Sequence, residues 1–395
     1  MTTNGPSVVI PAPDRYAVLR RISTWQHERL RAATVLVAGA GALGNEILKN
    51  LALLGVGHIV LVDFDHIELP NLSRSVLFRE SNRGQSKAKV AAEAVRAINP
   101  DVAVSVINGD VAYAVGLGVF RRTDVILGGL DNRQARLALN GHAWRTGKPW
   151  VDGALAETAG AVRIFVPPEG SCYECTLSIA DYQQMSLRTS CHGIAIKQAE
   201  EGKIATTPTV ASIIGAMQVQ EALKLLHGQP VLAGHELLYD ANVHSLQIVK
   251  LPCRQNCLGH STLGHVTEVG EFRAGKSTAA ELLVRAQTDL GREARLQLDH
   301  EVLIGRKCRH GHENPPIFCP SFRLQATEMA CRVCHEEITF DMAHFIDEHS
   351  PHLDATLADW GLPPGHIVRA RLGRQPAYYE LTGDISQILP WIKTT

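Results

Sequence analysis

No cysteine precedes residue 172 in this chain of 395 residues, and charge of either sign is hardly in excess. The 39 basic and 40 acidic side chains sum to a net charge of −1, and aromatic residues make up only 5%. Without a basic excess the chain has no global field that would hold nucleic acid or an anionic membrane surface. A run of roughly 18 apolar residues is also missing, so no membrane-spanning helix is predicted.

The start of the chain, MTTNGPSVVIPAPDRY, lacks a basic segment followed by a long apolar one. We therefore expect no export signal and a cytoplasmic protein. The apolar content of 45% and the 33 glycines are ordinary for globular proteins, which excludes a disordered or collagen-like chain. At about 100–200 residues per domain, the length predicts two to three domains.

Apolar runs and helical patterns alternate in the first part of the chain. Strands are predicted at 34–39, 58–65 and 124–129, and helices at 84–98 and 132–146. This alternation predicts an α/β fold with a Rossmann-like, mixed but mainly parallel sheet that helices cover on both faces.

The second part of the chain begins with a long helix and then changes character. A Thr-Pro start predicts a helix over 207–227, and a hairpin is predicted over 237–250. From about residue 258 the chain is rich in histidine and its patterns are shorter. We therefore predict an N-terminal arm (1–20), an α/β domain (21–257) and a small α+β, zinc-ribbon-like C-terminal domain (258–395).

A glycine-rich turn follows the first predicted strand and opens a helix, with glycines at Gly39, Gly41 and Gly44. Such a turn lets the backbone approach phosphate groups, and the start of the helix supplies free N–H groups. Asp63 ends the next strand, 19 residues after Gly44, where a carboxylate suits a ribose hydroxyl. The pattern predicts a nucleotide site but does not distinguish ATP from NAD.

Further polar residues follow the glycines in a definite order. They are Asp63, Asp65, Asn71, Arg74, Lys87, Asp131 and Asn132. With the glycines, this set resembles the superfamily of ubiquitin-activating enzymes and sulfur-carrier adenylyltransferases, over roughly residues 15–257. The same fold is shared by bacterial enzymes of thiamine and molybdopterin biosynthesis.

The resemblance implies ATP and Mg²⁺ as cofactors and gives the residues of this set their roles. Asp63 would bind the ribose, and Asp131 would hold Mg²⁺ beside Asn132. Three residues would contact the phosphates of ATP, namely Asn71, Arg74 and Lys87. The implied reaction is adenylation of the C-terminal glycine of a ubiquitin-like or sulfur-carrier protein, in which cations and a metal ion offset the charge on the phosphates.

The segment DRYAVLRRI (14–22) is closest to activating enzymes of the ufmylation type, which have a single adenylation domain. In that family an arginine near the N-terminus reaches the ATP of a partner subunit. The resemblance therefore implies a homodimer, with Arg21 as the first candidate for this arginine and Arg15 as the second.

The nine cysteines are an odd number, which argues against a simple disulfide framework. Two close pairs, Cys172/Cys175 and Cys253/Cys257, have a spacing that fits a closed tetrahedral zinc site with four thiolates. The resemblance implies zinc in the same position.

Cys191 stands alone between the first pair and the long helix. The resemblance implies that it accepts the activated carboxylate as a thioester and passes it to a conjugating enzyme. The alternatives are an incidental thiol and a simpler reaction, the adenylation of a sulfur carrier for thiocarboxylate synthesis.

The cysteines of the C-terminal part predict a second zinc site with less definition. Cys331 and Cys334 form one half site, and the segment Cys308-Arg-His310-Gly-His312 is the candidate for the other half. The identity of the fourth ligand stays open, and Cys319 is an alternative candidate for this second half of the site. The alternative is a small core that contains reduced thiols.

Residues 270–277 match the phosphate-loop pattern of NTPases, but the segment before them is too polar for a central strand. We interpret the match as chance and Ser277 as a helix cap. Two other functions fit the sequence less well. An NAD-dependent oxidoreductase leaves Arg74, Lys87 and the cysteine pairs unexplained. The intact Arg74, Lys87 and Asp131 argue against a non-catalytic scaffold that only keeps the fold.

Overall fold

The computed structural model describes residues 14–183 and 205–392. The α-helices with defined bounds are α1 (His27–Ala32), α2 (Ala42–Leu54), α3 (Lys87–Ile98), α4 (Leu117–Arg121), α5 (Arg133–Thr146), α6 (Pro208–His227) and α7 (Ala279–Leu290). The strands before residue 260 are β1 (Thr34–Ala38), β2 (His58–Val62), β3 (Ala103–Ile107), β4 (Val125–Gly128), β5 (Trp150–Ala156), β6 (Ala159–Phe165), β7 (His235–Asp240) and β8 (Ser245–Lys250). The later strands are β9 (Val266–Val269), β10 (Arg295–Lys307), β11 (Cys319–Pro320), β12 (Thr339–Ile346), β13 (Ile367–Leu372) and β14 (Gln375–Leu381).

The first sheet has the strand order β3-β2-β1-β4-β5-β6-β7-β8. Its first five strands are parallel, and β6, β7 and β8 are added in antiparallel fashion. All five residues of β1 are buried, as expected for a central strand with helices on both faces. The predicted mixed, mainly parallel α/β fold is confirmed.

Helix starts follow local capping. The helix predicted over 84–98 begins at Lys87, because the Ser86 hydroxyl oxygen accepts the Lys89 N–H at 3.5 Å. The long helix α6 begins as predicted: Thr207 caps it, Pro208 is its first residue, and Gly228 ends it in a left-handed conformation.

The second sheet has the order β11-β10-β13-β14-β9, and β12 pairs with β10. Helix α7 packs on it through Leu282, Leu283 and Ala286. This arrangement confirms a second, α+β part of the chain after the first sheet. The exact division at 257/258 stays a prediction.

An apolar core and a buried ion pair join the two sheets. Leu117 and Phe120 of α4 belong to the same buried cluster as Ile367, Tyr378 and Ile385 from the second part. Beside this cluster, Arg121 and Arg122 both donate hydrogen bonds to the carboxylate of Glu380 on β14.

Among the helices within 14–183 and 205–392, none is both long enough and apolar enough to cross a bilayer.

Candidate functional site

The glycine-rich turn lies at the carboxyl end of β1, between its neighbours β2 and β4. Gly39 has φ = +97°, and a Cβ there would lie 2.6 Å from the Gly129 carbonyl oxygen. A Cβ on Gly44 would lie 2.0 Å from the Gly39 oxygen, whereas one on Gly41 would meet nothing within 4 Å. Gly39 and Gly44 therefore keep the turn tight, and Gly41 leaves an open space in which a ligand can approach the backbone.

Asp63 follows β2 and faces this turn. One carboxylate oxygen accepts the Ala40 N–H at 2.7 Å, and the other accepts the Asp65 N–H at 2.8 Å. Burial raises the pKa of the Asp63 carboxyl, while the Ala40 N–H and the Lys87 charge oppose that rise. These contacts fix the carboxylate beside the glycine turn, as a ribose-binding residue requires.

Lys87, the first residue of α3, is brought to the same edge of the sheet. Its side chain is 10% exposed and its Nζ lies 2.7 Å from Oδ2 of Asp65. Arg74 is half-buried and donates from Nη1 to the Pro70 carbonyl at 3.1 Å. The Lys87 ammonium has three N–H donors, so a lysine in this largely buried position can bind a phosphate group in addition to Asp65.

Of the remaining predicted residues, Asn71 and Asn132 accept hydrogen bonds from nearby backbone N–H groups, and Asp131 is exposed. The Asn71 side chain is buried and accepts the Glu68 N–H at 2.8 Å. Asn132 caps α5 by accepting the Ala135 N–H at 2.8 Å, so Asp131, which is exposed, is free of a capping role. The Asp131 carboxylate follows β4, the strand adjacent to β1.

Sequence reasoning missed two groups that position this site. Asn45, fully buried on α2, connects the glycine turn to the segment after Arg74. Arg136 donates to the carbonyl of Leu130, next to Asp131, and to Asp152 at 3.0 Å. Asn45 directly follows the glycine motif, a position that could have drawn attention, whereas the pairing of Arg136 with Asp152 has no signal in the sequence.

The two candidate N-terminal arginines differ in their surroundings. Arg15 donates from Nη1 to the Ile98 carbonyl at 3.0 Å, so it is held by its own chain. Arg21 is exposed at the end of a short 3₁₀ turn.

These residues fit ATP with Mg²⁺. The glycine cradle leaves space at Gly41, and cationic groups and a carboxylate follow adjacent parallel strands. Mg²⁺ is commonly held by one or two carboxylates together with the phosphates of the substrate, and the exposed Asp131 is a carboxylate at this edge of the sheet.

The first cysteine cluster differs from the predicted ligand set in one member. The structure groups Cys172, Cys175 and Cys257 with His260, and their ligand atoms all lie within 4.8 Å of one another. Cys253 is exposed, and its Sγ contacts the Gly170 carbonyl at 3.2 Å instead. Three thiols and one imidazole within this distance suit a tetrahedral zinc ion.

His260 replaces Cys253 in this cluster for a physical reason. The backbone turns after Cys257, so that the imidazole of His260 stacks on Trp144 at 4.4 Å and its Nε2 lies 3.3 Å from Cys175 Sγ. Cys253 lies four positions before Cys257 and His260 lies three positions after it. By sequence spacing alone, either residue could be the fourth ligand.

The other predicted thiols lie elsewhere. Cys191 is outside the described residues. Cys308, Cys331 and Cys334 come together with His312, and Cys319 pairs with Leu303 between β11 and β10.

The phosphate-loop pattern at 270–277 connects β9 to α7. β9 is an edge strand, and the loop is closed by its own hydrogen bonds, since Ser277 N–H donates to the Arg273 carbonyl at 2.8 Å. The expectation that Ser277 caps the helix is wrong. Thr278 caps α7 in a reciprocal pair with Glu281, and the Ser277 hydroxyl accepts the Arg273 N–H.

Comparisons with known proteins agree with this geometry. Residues 14–259 match the ThiF family. The chain is 35% identical over 253 residues to a sulfur carrier protein adenylyltransferase of Thermus thermophilus, covering 62% of this chain and 88% of that protein. It is 31% identical over 258 residues to a SAMP-activating enzyme E1 of Haloferax volcanii, covering 65% of this chain and 91% of that protein.

A longer relative is matched over part of its length. An adenylyltransferase and sulfurtransferase MOCS3 of Culex quinquefasciatus is 28% identical over 269 residues, and the match covers 67% of this chain and only 59% of that relative. Among solved structures, E. coli MccB with MccA-N7isoASN has a TM-score of 0.53 at 22% identity, covering 63% of this chain and 76% of that one. This last likeness concerns the fold alone.

Proposed function

Since this chain belongs to the ThiF family over residues 14–259, we propose that it is an ATP-dependent adenylyltransferase acting on a small sulfur-carrier protein. The C-terminal glycine carboxylate of the carrier is the group that it activates. The proposal rests chiefly on one observation: the glycine turn, Asp63 and Asp131 follow β1, β2 and β4, three adjacent parallel strands. It is also supported by the name of the relative at 35% identity.

In the proposed reaction, an oxygen of the carrier's terminal carboxylate attacks the α-phosphorus of ATP. A bond forms between the carboxyl oxygen and that phosphorus, and the bond from the α-phosphorus to the pyrophosphate oxygen breaks. Pyrophosphate leaves with the electron pair, and the carrier retains an acyl-adenylate. Negative charge grows on the phosphate oxygens as this bond breaks, so fixed cations lower the barrier.

The chain's own residues supply these functions. Asp63 orients the ribose, and the backbone at Gly41 approaches the phosphates. Lys87 moves its charge from Asp65 toward the phosphates, with Arg74 and Asn71 beside them. Asp131 would hold Mg²⁺, which would neutralise phosphate charge when bound.

We further propose a homodimer in which Arg21 of each protomer reaches the nucleotide of the other. Both arginines are exposed, and Arg21 is the better candidate because Arg15 donates a hydrogen bond to the Ile98 carbonyl. Residues 21–257 form the adenylation domain in this proposal, and residues 258–395 form an accessory domain.

The cluster of Cys172, Cys175, Cys257 and His260 would hold a structural zinc ion, which ties the turn at 172–176 to the turn at 257–260. Cysteines that bind zinc must stay reduced, and thiols stay reduced in a reducing compartment. We therefore propose that the protein acts in the cytoplasm.

A second candidate is activation for ubiquitin-like conjugation, which the name of the Haloferax relative, an activating enzyme E1, favours. Cys191 would then accept the acyl group as a thioester with release of AMP, and a conjugating enzyme would take it. This candidate shares the adenylation step with the first and differs only afterwards.

The test uses the full chain with a carrier protein that ends in Gly-Gly, ATP and Mg²⁺, and it reads the carrier by intact mass. We expect the mass of carrier–AMP, and no product with a carrier that lacks its last two residues. Failure to form carrier–AMP, or turnover of NADH instead, would refute the proposal. A reductant-sensitive carrier adduct that Cys191→Ser abolishes would select the second candidate over the first.

A further inference from the structure

We propose that Cys308, His312, Cys331 and Cys334 bind a second zinc ion, in the C-terminal part of the chain. The three thiols and the imidazole are contributed by two segments that are 19 residues apart at their nearest ligands. This site is independent of the proposed adenylation and of the first cysteine cluster.

The distances between the ligand atoms match a tetrahedron around zinc. Bond lengths of about 2.3 Å to sulfur and about 2.0–2.1 Å to nitrogen imply edges of about 3.8 Å between two sulfurs and about 3.5–3.6 Å between sulfur and nitrogen. Cys308 Sγ lies 3.6 Å from Cys334 Sγ and 3.5 Å from His312 Nδ1. Cys331 Sγ lies 3.8 Å from the same nitrogen.

A disulfide does not explain this geometry. Two bonded sulfurs lie about 2.05 Å apart, much closer than the sulfurs of Cys308 and Cys334. An imidazole nitrogen that approaches two separate sulfurs at once is also foreign to a disulfide, and it fits a shared metal ion.

Hydrogen-bond donors surround the sulfurs as zinc-bound thiolates require. The N–H groups of His310 and Val333 donate to Cys308 Sγ and Cys331 Sγ, both at 3.4 Å. The Asn314 amide also donates to Cys331 Sγ at 3.4 Å. Donors of this kind stabilise the thiolate, which is the form that binds metal.

The surrounding segment lacks the apolar core that would otherwise hold it. Between β10 and β12 the chain runs from residue 308 to residue 338 with a strand of only two residues, β11. The buried cluster there consists of Cys308, Cys331 and Ile338, with Cys334 and Phe340 packed against it. So small a core needs a cross-link, and a closed Cys₃His site supplies one.

The donor set also selects the metal. Three soft thiolates and one imidazole in a tetrahedral arrangement favour zinc over magnesium or calcium, which prefer oxygen ligands. All four positions are filled by protein groups, so the site has no open position for a substrate, and its role is structural.

The chain offers two matched controls. Cys319 lies in the same segment but pairs with β10 outside the cluster. His310 is two residues from His312, and its Nε2 faces Glu336 at 2.9 Å instead. Substitutions at these two positions remove a thiol and an imidazole from the region without touching the proposed ligands.

The first experiment measures bound zinc per chain in the purified full-length protein by elemental analysis. We expect Cys331→Ser and His312→Ala to lose one zinc equivalent relative to the unmodified chain, and Cys319→Ser and His310→Ala to lose none. Equal zinc content in all five proteins would overturn the proposal, as would a loss confined to Cys319→Ser.

A second measurement covers the case in which Cys331→Ser does not fold. Cys172→Ser disables the first cluster and leaves the C-terminal ligands intact, and this protein is loaded with Co²⁺ alone. We expect one cobalt ion with the visible bands and sulfur charge-transfer absorption of a tetrahedral thiolate site. Absence of that absorption, or its persistence unchanged when His312→Ala is added, would contradict the Cys₃His assignment.

Discussion

The side-chain oxygen of Asn45 accepts the backbone N–H of Leu77 at 2.8 Å. Its amide nitrogen donates to the carbonyls of Ala40 and Gly41, at 2.8 and 3.0 Å. One buried side chain thus joins the glycine turn to the segment that follows Arg74, two parts of the proposed ATP site that are more than thirty residues apart along the chain.

We predict that Asn45→Ala destabilises the fold and weakens ATP binding. The substitution leaves the Leu77 N–H without its acceptor, and an unsatisfied buried group costs roughly 1–3 kcal/mol. The KM for ATP should rise more than kcat falls, because the cradle is displaced and the reacting groups remain. Asn50→Ala on the same helix is the control, and equal effects of the two substitutions on KM would argue against a positioning role for Asn45.

The first cysteine cluster gives a direct test of His260 against Cys253. His260→Ala removes a ligand atom that lies 3.3 Å from Cys175 Sγ, so the purified chain should lose one zinc equivalent and unfold more readily. Cys253→Ser changes an exposed thiol outside the cluster and should retain the full zinc content. The reverse result in elemental analysis would restore the four-cysteine ligand set.

The contact between the two sheets gives a prediction about stability. Glu380 is fully buried and accepts hydrogen bonds from Arg121 and Arg122, whereas Glu268, which is 53% exposed, meets Arg122 at 3.0 Å. Glu380→Ala leaves the two arginines without their buried partner and should lower the free energy of unfolding by about 3–5 kcal/mol. Glu268→Ala should change it by less than about 1 kcal/mol.

Denaturant unfolding of both variants measures this difference. Comparable losses would mean that the buried carboxylate does not hold the two sheets together.

His142 and His366 lie near the contact between the two sheets, and their burial predicts that the stability of the fold depends on pH. Burial lowers the pKa of His142 and of His366 to about 4, from an ordinary value near 6.5. Two charged groups act on both histidines: Asp299, 3.9 Å from His366, and Arg145, which pairs with Asp299 at 3.0 Å.

The sign follows from proton uptake. Between pH 6.5 and pH 4 the unfolded chain protonates both imidazoles and the folded chain does not, so the free energy of unfolding falls as the pH falls. The effect is up to about 3 kcal/mol for each fully desolvated histidine. Denaturation midpoints between pH 7 and pH 5 should fall less steeply for His366→Gln than for the unmodified chain, and His349→Gln, at an exposed position, should leave the slope unchanged.

Much of the first part could be predicted because its signals are local. The buried run of β1, the glycines after it and the Thr-Pro start of α6 each depend on neighbouring residues, and all three appear in the structure as predicted. The family also follows from such signals, because the order of Asp63, Arg74, Lys87 and Asp131 is written directly in the chain.

The parts that could not be predicted depend on long-range contacts. The choice between Cys253 and His260 is made by stacking on Trp144, more than a hundred positions earlier. The fourth member of the cluster around Cys308 is the imidazole of His312, which sequence spacing could not single out. Glu380 meets Arg121 across 259 positions, and no local pattern reports such a pair.

The central claim is that the chain adenylates a carrier carboxylate, and carrier-dependent exchange of labelled pyrophosphate into ATP measures it most directly. Lys87→Ala should abolish the exchange, because the proposed mechanism uses the charge of this largely buried lysine to bind the phosphates of ATP. Lys89→Ala, two positions further on the exposed face of the same helix, should retain it. Exchange that persists in Lys87→Ala, or that fails to appear in the unmodified chain with a Gly-Gly-ending carrier, would contradict the account.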